Sequence, residues 1–261
     1  MAQRGVVFLM YHELALPGRP HCRAEAGYSR YVVSDSDFRS QMRWLRENGW
    51  RARSVGETIA CMSHQEELPG VAVTFDDGSE SDLVAAAPIL REAEYNATFY
   101  ITVAFLGRPG YMTAAQVREL GALGFEIGCH SMTHAYLTDL DERGRRSEIA
   151  DAKAQLEDIL GKPIEHFACP GGRWDARVAQ IARTAGYHSV VNSRARINAP
   201  STDAFALGRV TILRHTRLPA FQEICRGDGL WEIQLRDRMR DTAKRILGNS
   251  LYDRSRALLL R

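Results

Sequence analysis

The chain has 261 residues, 45% of them hydrophobic and 25% charged, which suits one large α/β domain or two small ones and excludes a disordered chain. Lysine plus arginine number 34 against 32 for aspartate plus glutamate, and a net charge of +2 argues neither for nor against a nucleic-acid or membrane partner.

In chain order, residues 6–10 (VVFLM) read as a buried strand that runs into His12, too short an apolar run for a signal-peptide core. Residues 14–33 are rich in Pro, Gly, Arg and Tyr without a period and read as a long loop, a feature often tied to function. Residues 37–48 place Phe38, Met42 and Leu45 on one face of a helix closed by Gly49. A strand at 71–75 precedes a helix at 82–93, with Pro88 as its kink, and a third strand, β-branched and aromatic, follows at 97–103. Thr113 caps a helix that runs to Leu123, and a short strand at 126–129 leads into His130. A helix at 147–160 stops at Gly161, a strand follows at 167–169, a helix at 176–185 ends at Gly186, and a strand takes 189–192. Residues 231–261 read as a basic helical tail, with eight Lys and Arg against four acids.

Repeated strand–helix alternation implies a parallel sheet with helices outside. The number of units points to an α/β fold of the distorted (β/α)7-barrel type. It forms a single domain over residues 1–225, with a helical tail at 226–261 packed on the barrel or on a membrane surface. No segment approaches the roughly 20 apolar residues of a membrane span. Five cysteines at wide spacings, with no C-x-x-C, exclude a disulfide scaffold and a four-cysteine zinc site. A reducing cytoplasm is the simplest compartment.

Three clusters lie at the C-terminal ends of strands, the face on which a parallel barrel assembles its active site. Asp76 and Asp77 follow the 71–75 strand, and adjacent buried carboxylates are costly unless something uses them. In extended chain such neighbours point opposite ways, so one can bind a metal while the other faces a water; a helix cap and a solvated turn is the plainer use of Asp-Asp-Gly. His130 and His134 have the spacing of a metal-binding pair, on one helical turn or on a loop of similar reach. Pro170, Gly171 and Gly172 force an irregular turn in which backbone N–H groups can approach a ligand closely.

Taken together, residues 74–78 (TFDDG), His130-Ser131-Met132-Thr133-His134 and residues 167–172 (FACPGG) closely resemble the three motifs of the polysaccharide deacetylase family, the NodB-homology domains of carbohydrate esterase family 4. Residues 9–12 (LMYH), 96–100 (NATFY) and 207–210 (LGRV) extend the resemblance from residue 6 to about 215, and LMYH is commonest in the exopolysaccharide and biofilm branch. The resemblance implies a divalent metal, most often zinc, with cobalt, nickel, manganese or iron as alternatives, held by Asp77, His130 and His134. Asp76 would be the general base, and the N–H of Gly171, where the family usually has Tyr, would stabilise the oxyanion. The arginine that pairs with the base in many members is replaced by Ala168, which leaves Arg173 to reach Asp76 or to sit in solvent or pair with Asp175. His215 is the late candidate for the general acid, and His12, Pro170 and Trp174 would line the substrate pocket.

The implied substrate is an N-acetylated carbohydrate or glycolipid, with no nucleic acid. Peripheral membrane contact would run through the C-terminal helix. The same fold acting on another amide or an O-acetyl ester, and an inactive sugar-binding homologue, stay open.

Overall fold

The computed structural model describes residues 5–25, 27–64 and 70–235. Eleven strands occur among them: β1 (Val6–Tyr11), β2 (Glu13–Ala15), β3 (Val32–Ser34), β4 (Arg51–Arg53), β5 (Gly70–Phe75), β6 (Thr98–Ile101), β7 (Glu126–Cys129), β8 (His166–Ala168), β9 (Ser189–Asn192), β10 (Ile197–Asn198) and β11 (Leu207–Thr211). The α-helices are α1 (Asp35–Glu47), α2 (Val55–Ser63), α3 (Ala87–Glu92), α4 (Ala114–Ala122), α5 (Glu142–Arg146), α6 (Ala152–Leu160), α7 (Ala176–Thr184) and α8 (Leu218–Arg226).

Seven strands close a parallel barrel in the order β1–β11–β9–β8–β7–β6–β5, and β5 pairs back on β1 from Val7↔Val71 to Tyr11↔Phe75. β4 adds in parallel outside β5, and β10 adds antiparallel on β1. The (β/α)7 expectation therefore holds.

Side chains on a strand alternate between its two faces, and the barrel uses that alternation to separate two cores. Val6, Phe8, Ala72, Tyr100, Ala168, Val191 and Leu207 form a cluster inside the barrel. Their neighbours Val7, Leu9, Val71, Val73, Phe99, Ile101, Phe167 and Val190 join the larger core shared with the helices. Tyr100 fills the barrel because residue 128 has no side chain: a Cβ there would lie 2.4 Å from the Tyr100 ring.

Helix ends follow local chemistry. Ser54 and Glu57 make a capping box at α2, and Thr113 and Gln116 make one at α4. Gly161 closes α6 in the left-handed region, at φ 66°. The helix expected at 82–93 begins with a π-helical turn (Asp82–Ala86), which widens the backbone just before Pro88 and runs directly into α3. The helix expected at 147–160 starts earlier, at Glu142, where the Asp141 side chain accepts from the Gly144 N–H, and passes through a second π turn (Ser147–Asp151). The region expected to be one long loop at 14–33 is bounded instead by the parallel pair β2–β3. Helix formation reaches residue 235, and the remainder of the expected tail, with its membrane-contact role, lies outside the described residues.

Candidate active site

β5 delivers two carboxylates to the C-terminal mouth of the barrel. Asp76 shares the inward side of its strand with Ala72 and Thr74, and its N–H donates to the Tyr11 carbonyl at 3.0 Å. Extended backbone would turn Asp77 away, but Asp77 adopts a left-handed φ of 79°, and both carboxylates face the same histidine. His130 Nε2 lies 3.8 Å from Asp76 Oδ2 and 3.6 Å from Asp77 Oδ1. All three side chains are at most 3% exposed.

The His-x-x-x-His segment is a loop and not a helical turn. Positive φ at Ser131 (71°) and His134 (66°) folds it back. The Glu148 carboxylate pins it, accepting from the Thr133 N–H at 2.9 Å and the Thr133 hydroxyl at 2.5 Å. His134 Nε2 then comes 3.3 Å from Asp77 Oδ1. His130 Nδ1 lies 2.9 Å from the Ala168 carbonyl, which can only accept, so Nδ1 carries the proton and Nε2 keeps its lone pair for the cluster.

Donor atoms of Asp77, His130 and His134 all lie within 4.8 Å of one another. Asp77 Oδ1 is buried and accepts no hydrogen bond from the protein. One carboxylate oxygen and two imidazole nitrogens facing a common point suit a divalent cation with open coordination positions. Burial raises the Asp77 carboxyl, but His134, Arg23 and His130 outweigh it and hold the group well below the usual carboxylate range. Burial lowers His130 to about 4 against the pull of Asp76, so both groups are in the protonation state that metal ligation needs at neutral pH.

Asp76 is held by an arginine that the sequence did not single out. Arg209, on β11 and fully buried, donates from Nη1 to Asp76 Oδ1 at 2.6 Å and from Nη2 to Asp76 Oδ2 at 2.7 Å. A second bond from Nη1 to the Thr74 hydroxyl, at 3.0 Å, orients the fork. Burial pushes the Asp76 carboxyl up, yet Arg209, His130 and His12 bring it below its usual value. The expectation for Arg173 is corrected: its guanidinium stacks 3.8 Å from the centroid of the Tyr136 ring, and the fork on Asp76 belongs to Arg209. An arginine inside a strand that is otherwise apolar was the available signal.

The remaining expected residues separate. His12 directly follows β1, close enough to Asp76 and Asp77 for both to act on its charge, with Nδ1 buried and without a hydrogen-bond partner. Gly171 sits exposed at the mouth with φ 59°, and Pro170 is buried beneath it. Trp174 is half-buried, its indole N–H donating to the Phe205 carbonyl at 2.7 Å, which ties it to the fold. His215 is exposed and makes no hydrogen bond or ion pair with the cluster, which corrects its expected place there. Two further residues were missed: Arg23, which donates to Asp77 Oδ2 at 2.9 Å, and Tyr136, whose Cε1 lies 2.8 Å from where a Cβ on residue 171 would stand. Loop arginines and tyrosines carry no local pattern that would have marked them.

Residues 64–190 match the family model described as polysaccharide deacetylase. The Bacillus subtilis polysaccharide deacetylase homologue YxkH is 26% identical over 207 residues, covering 78% of this chain and 70% of its own length. A peptidoglycan-N-acetylglucosamine deacetylase of Bacillus cereus is 30% identical over 122 residues, 46% of this chain and 55% of that protein, so the chain spans little more than half of it. Among solved structures, IcaB from Ammonifex degensii superposes with a TM-score of 0.73 at 28% identity, over 85% of this chain and 97% of that one. The Streptococcus pyogenes deacetylase PplD shares the fold with a TM-score of 0.75 at 23% identity, over 85% and 98% of the two chains.

Proposed function

From the match of residues 64–190 to the polysaccharide deacetylase family model and the likeness to deacetylases along most of the chain, we propose that the chain is a member of that family and a metal-dependent hydrolase removing N-acetyl groups from an amino sugar, an N-acetylhexosamine in a polysaccharide, oligosaccharide or glycolipid. One observation carries the reading: an orphaned buried Asp77 oxygen facing two imidazole nitrogens, beside a second carboxylate that is not part of that set. Relatives named for deacetylation of peptidoglycan and of chitooligosaccharides support the substrate class.

Asp77, His130 and His134 would hold the cation. When bound, a divalent ion supplies Lewis acidity to the attacking water and to the acetyl carbonyl. Asp76 accepts the proton of that water through the general-base role its position suits. The Arg209 fork fixes both Asp76 oxygens in direction and keeps the carboxylate ionised. The Gly171 N–H, at the exposed mouth, is the donor for the oxyanion as the carbonyl carbon becomes tetrahedral.

Collapse of that carbon needs a proton on the leaving nitrogen. Protonated Asp76 is a strong acid for the same reason its pKa is low, and it returns the proton it took. His12, with Nδ1 lacking a partner inside the protein, offers a hydrogen bond to the sugar or its leaving amine. Tyr136 walls the acetyl end beside Gly171, where a Cβ would displace the ring.

Acetate release from a panel of N-acetylated monosaccharides, nucleotide sugars and oligomers, with and without chelator, tests the reading. Chelator-sensitive release from at least one amino sugar is the expected result. Release that chelator leaves untouched, or none from any N-acetylated sugar at full metal loading, overturns it.

A further inference from the structure

The two oxygens of Asp77 are treated differently by the protein, and the difference comes from Arg23, in the segment after β2. Oδ1 accepts no hydrogen bond from the protein and faces His134 Nε2 at 3.3 Å and His130 Nε2 at 3.6 Å. Oδ2 accepts from Arg23 Nη2 at 2.9 Å.

Arg23 is itself fixed on several sides. Its Nε donates to the Tyr111 hydroxyl at 3.0 Å. Its guanidinium carbon lies 5.0 Å from the Phe105 ring centroid and 5.6 Å from that of Tyr28. Phe105 in turn stacks on His134, with centroids 5.8 Å apart and planes 25° apart. The preceding residue is anchored as well, since the Cys22 N–H donates to the Glu13 carboxylate at 3.1 and 3.3 Å. One side chain from outside the barrel thus contacts the Asp77 carboxylate and the aromatic ring that backs His134.

We propose that Arg23 is a positioning residue that reserves Asp77 Oδ2, so that Asp77 offers the metal one oxygen and not two. The inference rests on the metal-dependent reading of the site. A carboxylate binds a cation through one or both oxygens, and a guanidinium already bonded to one of them removes the second mode. Two nitrogens and one oxygen then leave positions open for water and for the acetyl oxygen, which a catalytic site needs. Partners of metal ligands act this way in general, with effects of about 10- to 100-fold when they are removed.

Cobalt(II) reports the coordination number directly, because four- and five-coordinate ions absorb strongly in the visible and six-coordinate ions weakly. The full chain is loaded with one equivalent of Co(II) and compared with R23M and R23Q, one apolar and one polar, so that failure of either to fold leaves the other to read. R23K serves as the rescue. The expected result is a weaker visible band in R23M and R23Q at undiminished Co(II) content, recovery of the band in R23K, and acetate release slowed about 10- to 100-fold in the two variants without a cation. Spectra of R23M and R23Q superimposable on that of the unmodified protein overturn the assignment. Failure of the unmodified protein to bind Co(II) at all sinks the metal-dependent reading instead, so the two failures are distinct.

Discussion

Arg209 grips both oxygens of Asp76 from a position 133 residues along the chain, at 2.6 and 2.7 Å, and neither partner reaches solvent to any useful extent. Two buried charges tolerate each other's company far better than either tolerates its absence. R209M should therefore destabilise the fold by about 3–5 kcal/mol, read as a lower denaturation midpoint. It should also move the acid limb of kcat/KM to higher pH, because loss of the cation leaves burial to raise the Asp76 carboxyl. The sign follows from a folded-state pKa below the ordinary 3.8: the pair's contribution is complete above that value and is lost as pH falls through the folded pKa. An unmoved acid limb in a folded R209M would show that Asp76 does not set it.

Removing the base should separate chemistry from metal binding. D76N is expected to keep its metal content by elemental analysis while acetate release falls about 10²- to 10⁴-fold. Full turnover in D76N with metal bound would contradict the base role.

The ligand set has its own signature. D77N, H130A and H134A should each lower metal content after dialysis, in parallel with activity. With His130 held near 4 by burial, metal retention limited by this imidazole should be level from pH 7 down to about 5 and fall below that, as the ring begins to protonate. The reduced amount of metal that H134A keeps before dialysis should follow the same curve, since His130 remains, and a break near 6.5 would show that His130 has an ordinary imidazole pKa.

Gly171 is constrained twice, by φ 59° and by the Tyr136 ring 2.8 Å from its absent Cβ. G171A should cost about 1–3 kcal/mol of stability from the backbone alone and lower kcat through a displaced N–H. In a Y136A background the steric part should be relieved and part of the stability returned. A double-mutant cycle with no coupling between the two positions would place the ring elsewhere in solution.

His215 supplies a control. It is exposed and outside the cluster, so H215A should leave acetate release within about twofold, as surface changes away from a site do to stability. A large loss of turnover would return His215 to the mechanism.

Much of the molecule could be read from its residues in order. Strand–helix alternation, capping residues such as Thr113 and the stop at Gly161 are local signals, each decided by groups a few residues apart, and they led to a (β/α)7 barrel that the strand pairings bear out. Asp76, Asp77, His130 and His134 were visible for the same reason, as short motifs at strand ends. The histidine pair was legible as a pair but not as a loop, since only the positive φ values at Ser131 and His134 set its shape.

Partnerships across the barrel belong to the tertiary structure alone. Arg209 forks onto Asp76 and Arg23 takes one oxygen of Asp77 because β11 and the segment that carries Arg23 meet at the same strand end. Strand parity decides that Arg209 points inward, and barrel closure decides what it meets there; no spacing along the chain encodes the meeting. The sequence determined which chemical groups the mouth of the barrel would contain, and the closed fold determined which of them touch, because a hydrogen bond depends on distance in space and not on separation in sequence.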